Sequence, residues 1–145
     1  MLKMRSDLMK NRTLYRCLET KYYLCNKIQN KIGINKLKVV LTEEAQAFLD
    51  AQPFKAQQKI YYNIFKVEEG VMKVDIFKKL ENTEIWEFRT LYNGICYRLF
   101  SFWDTEEETL VIATHGIVKK TQKTPLKEIA KAEEIRKEYF DNKKK

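Results

Sequence analysis

Histidine is almost missing from this 145-residue chain, which has only His115. Cysteine is sparse as well, and Cys17, Cys25 and Cys96 show no Cys-x-x-Cys spacing. Such an inventory lacks the clustered ligands of a zinc centre, so no metal and no other cofactor is expected. An odd number of scattered cysteines fits a reducing cytoplasm better than a disulfide framework. Long apolar runs are lacking too. The longest near the start, Tyr22-Tyr23-Leu24-Cys25, falls far short of a signal-peptide core or a membrane span, and no membrane association is expected. Nor is there an internal repeat, a low-complexity block or a linker within residues 37–140.

What is present is enough apolar material for one domain with a core, 44% of the residues, with eight Phe, eight Tyr and two Trp. The net charge of +8 is unevenly spread. Residues 1–36 hold nine Lys/Arg against two Asp/Glu, and residues 37–145 hold nineteen against eighteen. The basic character therefore belongs mainly to an N-terminal extension, residues 1–36, and does not by itself make the remainder a nucleic-acid binder. Within that extension Leu14, Leu18, Tyr22, Cys25, Ile28 and Ile32 recur at spacings that permit an amphipathic helix on RNA or on a partner. A frayed extension is the competing reading. The expected domain runs over residues 37–140, followed by a charged tail at 141–145.

The domain opens with a short strand at residues 37–41. Thr42 then caps a helix carrying Ala45, Phe48 and Leu49 on one face. Pro53 starts a second helix with Phe54, Tyr61, Ile64 and Phe65 inward, ending near Gly70. From Ile85 the period becomes that of strands, and Asn93-Gly94 is a strong hairpin signal. Counting outward from that turn pairs Tyr92 with Ile95, Thr90 with Tyr97, Phe88 with Leu99 and Trp86 with Ser101. On the other face Leu91 meets Cys96, Arg89 meets Arg98 and Glu87 meets Phe100. Facing arginines destabilise a sheet unless something neutralises them, and either Glu87 or a bound phosphate fits that need. A third strand at residues 109–115 delivers His115 to Gly116, followed by Lys119, Lys120 and Lys123. Thr124-Pro125 suits the N-cap and first position of a closing helix over residues 125–140, with Leu126, Ile129, Ala130 and Tyr139 at helical spacings. A strand end, an imidazole and three ammonium groups ahead of a helix read as a phosphate cradle or as a solvated lysine turn.

Three stretches in order carry a family likeness. Trp86-Glu87-Phe88-Arg89, Tyr97-Arg98-Leu99-Phe100 and the run from His115 through Lys119, Lys120, Lys123 and Thr124 to Pro125 resemble the phage-derived, HigB-like branch of the RelE/ParE toxin superfamily. The likeness covers residues 37–140. It implies an α+β, RelE-like fold: a small, mostly antiparallel sheet packed against an N-terminal helical hairpin, with a C-terminal helix. It also implies a type II toxin, a ribosome-dependent mRNA endoribonuclease working without a metal. Its partners would be a cognate helix-turn-helix antitoxin, the ribosome and mRNA, with operator DNA reached only through the antitoxin complex. By this resemblance Arg89 matches the central-strand arginine that contacts the scissile phosphate. The tyrosine that some relatives use near the C-terminus has no match, Tyr139 lying too deep in the last helix.

RNA cleavage of that kind needs a base for a 2′-hydroxyl, an acid for the 5′-oxygen and cations for the phosphate. Glu87 or His115 suits the base, and His115 or a lysine the acid. Arg89, Arg98, Lys119, Lys120 and Lys123 are the cations. Two rivals remain: a gyrase-inhibiting, ParE-like toxin, and a phage nucleic-acid-binding protein without catalysis.

Overall fold

Asn93 and Gly94 reverse the chain with φ of 51° and 76°, both in the left-handed region that a two-residue type I′ hairpin turn requires. The strands they join, β3 (Trp86–Tyr92) and β4 (Ile95–Trp103), pair antiparallel through seven residue pairs, from Tyr92 with Ile95 to Trp86 with Ser101. All seven match the register counted from the turn, including Arg89 opposite Arg98. The computed structural model describes residues 37–106, 110–119 and 123–144. The basic extension at 1–36 lies outside the described residues, as do Lys120 and Lys145.

Around this hairpin the sheet has five strands in the order β1-β5-β4-β3-β2. The first strand, β1 (Lys38–Leu41), pairs parallel with β5 (Leu110–Lys119), from Lys38 with Leu110 to Leu41 with Ala113. A three-residue strand, β2 (Phe77–Lys79), pairs antiparallel with β3 and was not anticipated, because three residues are too few to show an alternation. The third strand also runs further than expected. It continues past His115 to Lys119, and the pairing with β4 slips at Phe100/Ser101, where Phe100 faces His115 and Ser101 faces Ala113. Thr114 is the extra residue of that bulge, and its hydroxyl donates to the Phe100 carbonyl oxygen at 3.2 Å.

Two helices close one face of the sheet. In α1 (Glu43–Asp50) the Thr42 side chain caps the helix by accepting from the Ala45 amide, as its sequence position predicts. In α2 (Phe54–Glu68) the buried stripe is Ala56, Ile60, Ile64 and Val67. The expected inward residues Phe54 and Phe65 are not in it, Phe54 being 40% exposed and Phe65 half-buried, while Tyr61 packs against its edge. Aromatic bulk drew the sequence reading one step round the helix from its true apolar face. Between helices and sheet lie Val39, Leu41, Phe77, Phe88, Leu99 and Val111. Each such large side chain contributes about 1.5–3 kcal/mol when buried.

The opposite face is covered in part by α3 (Leu126–Lys143). Val40, Phe100, Phe102 and Ile112 pack there against Ala132, Ile135, Tyr139 and Phe140. Leu126 and Ala130, expected to face inward, are exposed, Leu126 by 76%. So few apolar residues punctuate this charged helix that its phase is ambiguous in sequence. At its far end Asp104, fully buried, accepts from the Tyr139 hydroxyl at 2.5 Å and from the Lys143 ammonium, which pins the helix to the end of β4. The architecture is α+β, a mostly antiparallel sheet with a helical hairpin on one side and a C-terminal helix on the other. Among the described residues, no helix is long and apolar enough to cross a membrane.

Candidate functional site

Strand alternation sends Glu87, Arg89 and Leu91 of β3 to the same side of the sheet as Arg98 and Cys96 of β4. On β5 the residue opposite Cys96 is Lys119, which joins that face. Beyond the stretch that α3 covers, the face opens to solvent at Arg89 and at Leu91, which is 58% exposed. A charged cluster sits at this opening.

Glu87 is its centre and is 2% exposed. Its Oε1 lies 3.0 Å from Arg98 Nε and 3.4 Å from Arg89 Nε. Both Nε atoms are buried, yet neither makes a hydrogen bond of acceptable geometry. The distances and the angles thus disagree, and the angles decide: these are charge contacts whose N–H groups point elsewhere. The other carboxylate oxygen, Oε2, accepts from the Thr124 hydroxyl at 2.9 Å. That hydroxyl in turn accepts from Lys119 Nζ at 3.1 Å. Thr124 therefore does not cap α3 as its sequence position suggested. Pro125 stands at the N-cap without any side-chain cap bond, because the hydroxyl is committed to the charged cluster.

Three cations around one carboxylate leave an excess of positive charge, held partly out of water. Burial pushes the Lys119 ammonium below the usual lysine range; Glu87 pulls it back up, and Arg98 and Arg89 push it further down. A group shifted in this way gives up its proton more readily than an exposed lysine does. Lys78 adds a further cation that sequence reasoning missed. It pairs directly with Glu87 from β2 and is exposed on the same face. Only recognition of β2 as a strand could have placed it. Lys123 is exposed beside Thr124, and Lys120 falls outside the described residues.

His115 is held apart from this group. It shares a row with Glu87 but sits two strands away, with Phe100 between them, a separation of about 10 Å from strand spacing alone. The ring is 2% exposed and lies tilted against Phe100, with ring centroids 4.9 Å apart. Its Nδ1 lies 3.0 Å from Thr114 Oγ1 and its Nε2 lies 2.8 Å from Glu128 Oε2 at the start of α3. A carboxylate only accepts, so Nε2 carries a proton in this arrangement. The Thr114 hydroxyl has one proton, for Phe100 O or for Nδ1, and that choice goes with the charge of the ring. Either way both nitrogens are engaged. Instead of an imidazole presented at a strand end, the bulge and the longer β5 give one stapled beneath α3. Tyr139 is likewise committed, its hydroxyl pushed up to about 12 by burial and by Asp104.

The staple has a measurable consequence. Burial outweighs Glu128 and places the His115 ring below its ordinary 6.5. As pH falls through that value the unfolded chain binds the proton first, so stability is full above about pH 6.5 and declines below it. Thermal midpoints recorded from pH 7.5 to 5 are expected to fall less steeply in His115→Gln than in the wild type. Parallel curves would show that the ring contributes nothing to acid sensitivity.

Comparison with known proteins places these elements in context. A family model described as phage derived protein Gp49-like matches residues 47–137, a span that contains Glu87, Arg89, Arg98, His115, Lys119 and Thr124. A solved structure, the toxin-antitoxin complex RelBE2 from Mycobacterium tuberculosis, aligns with 59% of this chain and 100% of its own at a TM-score of 0.39 and 19% identity. No curated protein matches the chain.

Proposed function

The chain belongs to the phage derived Gp49-like family, and from that premise we propose that it is the toxin of a type II toxin-antitoxin system, HigB-like in kind, that cuts mRNA on the ribosome. The observation that carries this reading is the buried Glu87 carboxylate set among Arg89, Arg98 and Lys119, with two guanidinium N–H groups left unsatisfied. Buried donors without acceptors are rare, and a phosphate supplies acceptors of the right charge. The motifs around Arg89, Arg98 and Lys119 resemble those of the HigB-like toxins and support the same reading.

In this mechanism the scissile phosphate settles on Arg89 and Arg98, and Glu87 Oε1 becomes the nearest acceptor for the 2′-hydroxyl proton. The 2′-oxygen attacks phosphorus, the bond to the 5′-oxygen breaks, and that oxygen takes a proton from Lys119. A 2′,3′-cyclic phosphate and a free 5′-hydroxyl result. The guanidinium groups stabilise the charge that builds on phosphate in the transition state. His115 supports α3 in this reading and moves no proton of the substrate. The cognate partner is a helix-turn-helix antitoxin, and operator DNA is reached only through their complex.

Mapping transcript 5′ ends after brief induction tests the proposal. New ends inside translated reading frames are expected, absent when Arg89 is replaced. Growth arrest with intact transcripts would turn the assignment toward a protein target such as gyrase. The lysines are tested separately by replacing Lys119, Lys120 and Lys123 together with Gln. For a short single-stranded RNA, the log–log salt slope is expected to flatten by about 2, since each phosphate contact contributes about 0.7. An unchanged slope in a folded variant shows that these lysines bind no RNA phosphate.

A further inference from the structure

Thr124 joins β3 to β5 through one hydroxyl at the threshold of α3. Its single proton goes to Glu87 Oε2 at 2.9 Å, since the ammonium of Lys119 has no lone pair and can only donate, here at 3.1 Å. The direction of both hydrogen bonds is therefore fixed. Forgoing the N-cap role leaves the first turn of α3 without a side-chain cap, although a Thr immediately before the N-cap proline could have been used that way. Glu87 and Lys119 lie on strands separated by β4, so no backbone ladder sets one against the other.

Taking the cleavage reading as its basis, we infer that Thr124 is a positioning residue, which holds the Glu87 carboxylate and the Lys119 ammonium at a fixed separation on the two sides of the phosphate seat. Its partners are the proposed base and the proposed acid. Without the hydroxyl, Oε2 loses its donor and Lys119 loses an acceptor, while the side chain keeps its size and branching if the replacement is Val. Lys119 then has less to hold its proton. Burial already draws it down, and the loss takes it in the same direction. A serine keeps the hydroxyl and restores the link.

The test uses Thr124→Val and Thr124→Ser in the full-length chain. Nitrogen-15 NMR follows the Lys119 side chain through its titration, and message cleavage on ribosomes is measured from pH 6 to 10. In the valine variant the Lys119 midpoint is expected to move to lower pH, and the alkaline limb of the cleavage profile to move with it. The maximal rate is expected to fall about tenfold to a hundredfold with KM within about twofold, as for a disturbed proton transfer and not for lost binding. Serine is expected to bring back both the titration and the rate. An unmoved midpoint and profile in Thr124→Val overturns the inference. So does a loss that serine does not repair and that follows the thermal midpoint, because that pattern belongs to a packing role. If the wild-type protein cuts no message while the midpoint still moves and serine restores it, the nuclease reading fails and the hydroxyl's hold on Lys119 stands.

Discussion

Arg89→Ala is expected to yield a folded protein that cuts message ~10²–10³ times more slowly than wild type, the usual effect of removing a donor that stabilises transition-state charge. The fold can spare this side chain. Glu87 keeps Arg98 at 3.0 Å, whereas its contact with Arg89 is longer, at 3.4 Å. Arg89 is also the better solvated of the two, and its remaining bond, to the Val74 carbonyl oxygen, spans 3.5 Å. Removing it relieves a like-charge contact across the β3–β4 pair. Stability is therefore expected to change by no more than about 1 kcal/mol in either direction. Cleavage and thermal midpoint should be measured on one purified sample. A folded variant that cuts at the wild-type rate removes Arg89 from the site, and a loss of activity matched by a loss of folded protein removes the catalytic explanation.

Glu87→Ala is expected to lose stability as well as cleavage, which sets it apart from Arg89→Ala. The carboxylate is the only acidic group in contact with Arg89 and Arg98 among the described residues, and Thr124 bonds to it as well. Deleting it strands buried cations, a change worth about 3–5 kcal/mol when one member of a buried pair is removed. Inorganic phosphate should restore part of this loss, and should stabilise the variant more than the wild type, because in the variant the seat holds no carboxylate. Denaturant unfolding at constant ionic strength, with phosphate exchanged for chloride, reads both effects. Equal stabilisation of the two proteins by phosphate would show that the cations do not form an anion seat.

How much of this was legible in the sequence differs from element to element. The facing arginines followed directly from Asn93-Gly94, because a two-residue turn fixes every pair above it. Thr42 was readable for a similar reason, since its cap bond spans three residues. What failed to show were features decided by distant partners. The brevity of β2 hid Lys78, and the bulge at Thr114 moved His115 from an expected strand end into a packed row. Thr124 looked like a cap because local propensity favours one, and it was drawn away by a carboxylate 37 positions earlier in the chain. The proposed site is thus assembled from a readable hairpin and an unreadable return of the chain across it. The neutralising role of Glu87 was foreseen as one of two explanations. The structure contains that charge contact and still leaves the guanidinium Nε–H groups without acceptors.

The parallel pairing of β1 with β5 bears on how the protein is made. Thr42, at the end of β1, donates to the carbonyl of Thr114, 72 positions further along. Contacts of that separation form late, since the intervening chain must first exist and then be closed into a loop. While the polypeptide emerges from N- to C-terminus, β1 and its two helices wait without their strand partner, and the hairpin bearing Arg89 and Arg98 has no Lys119 beside it. Thr124 and the helix that covers Phe100 and Phe102 follow β5 in the chain. The groups of the proposed site therefore come together only after β5 and Thr124 have joined the hairpin.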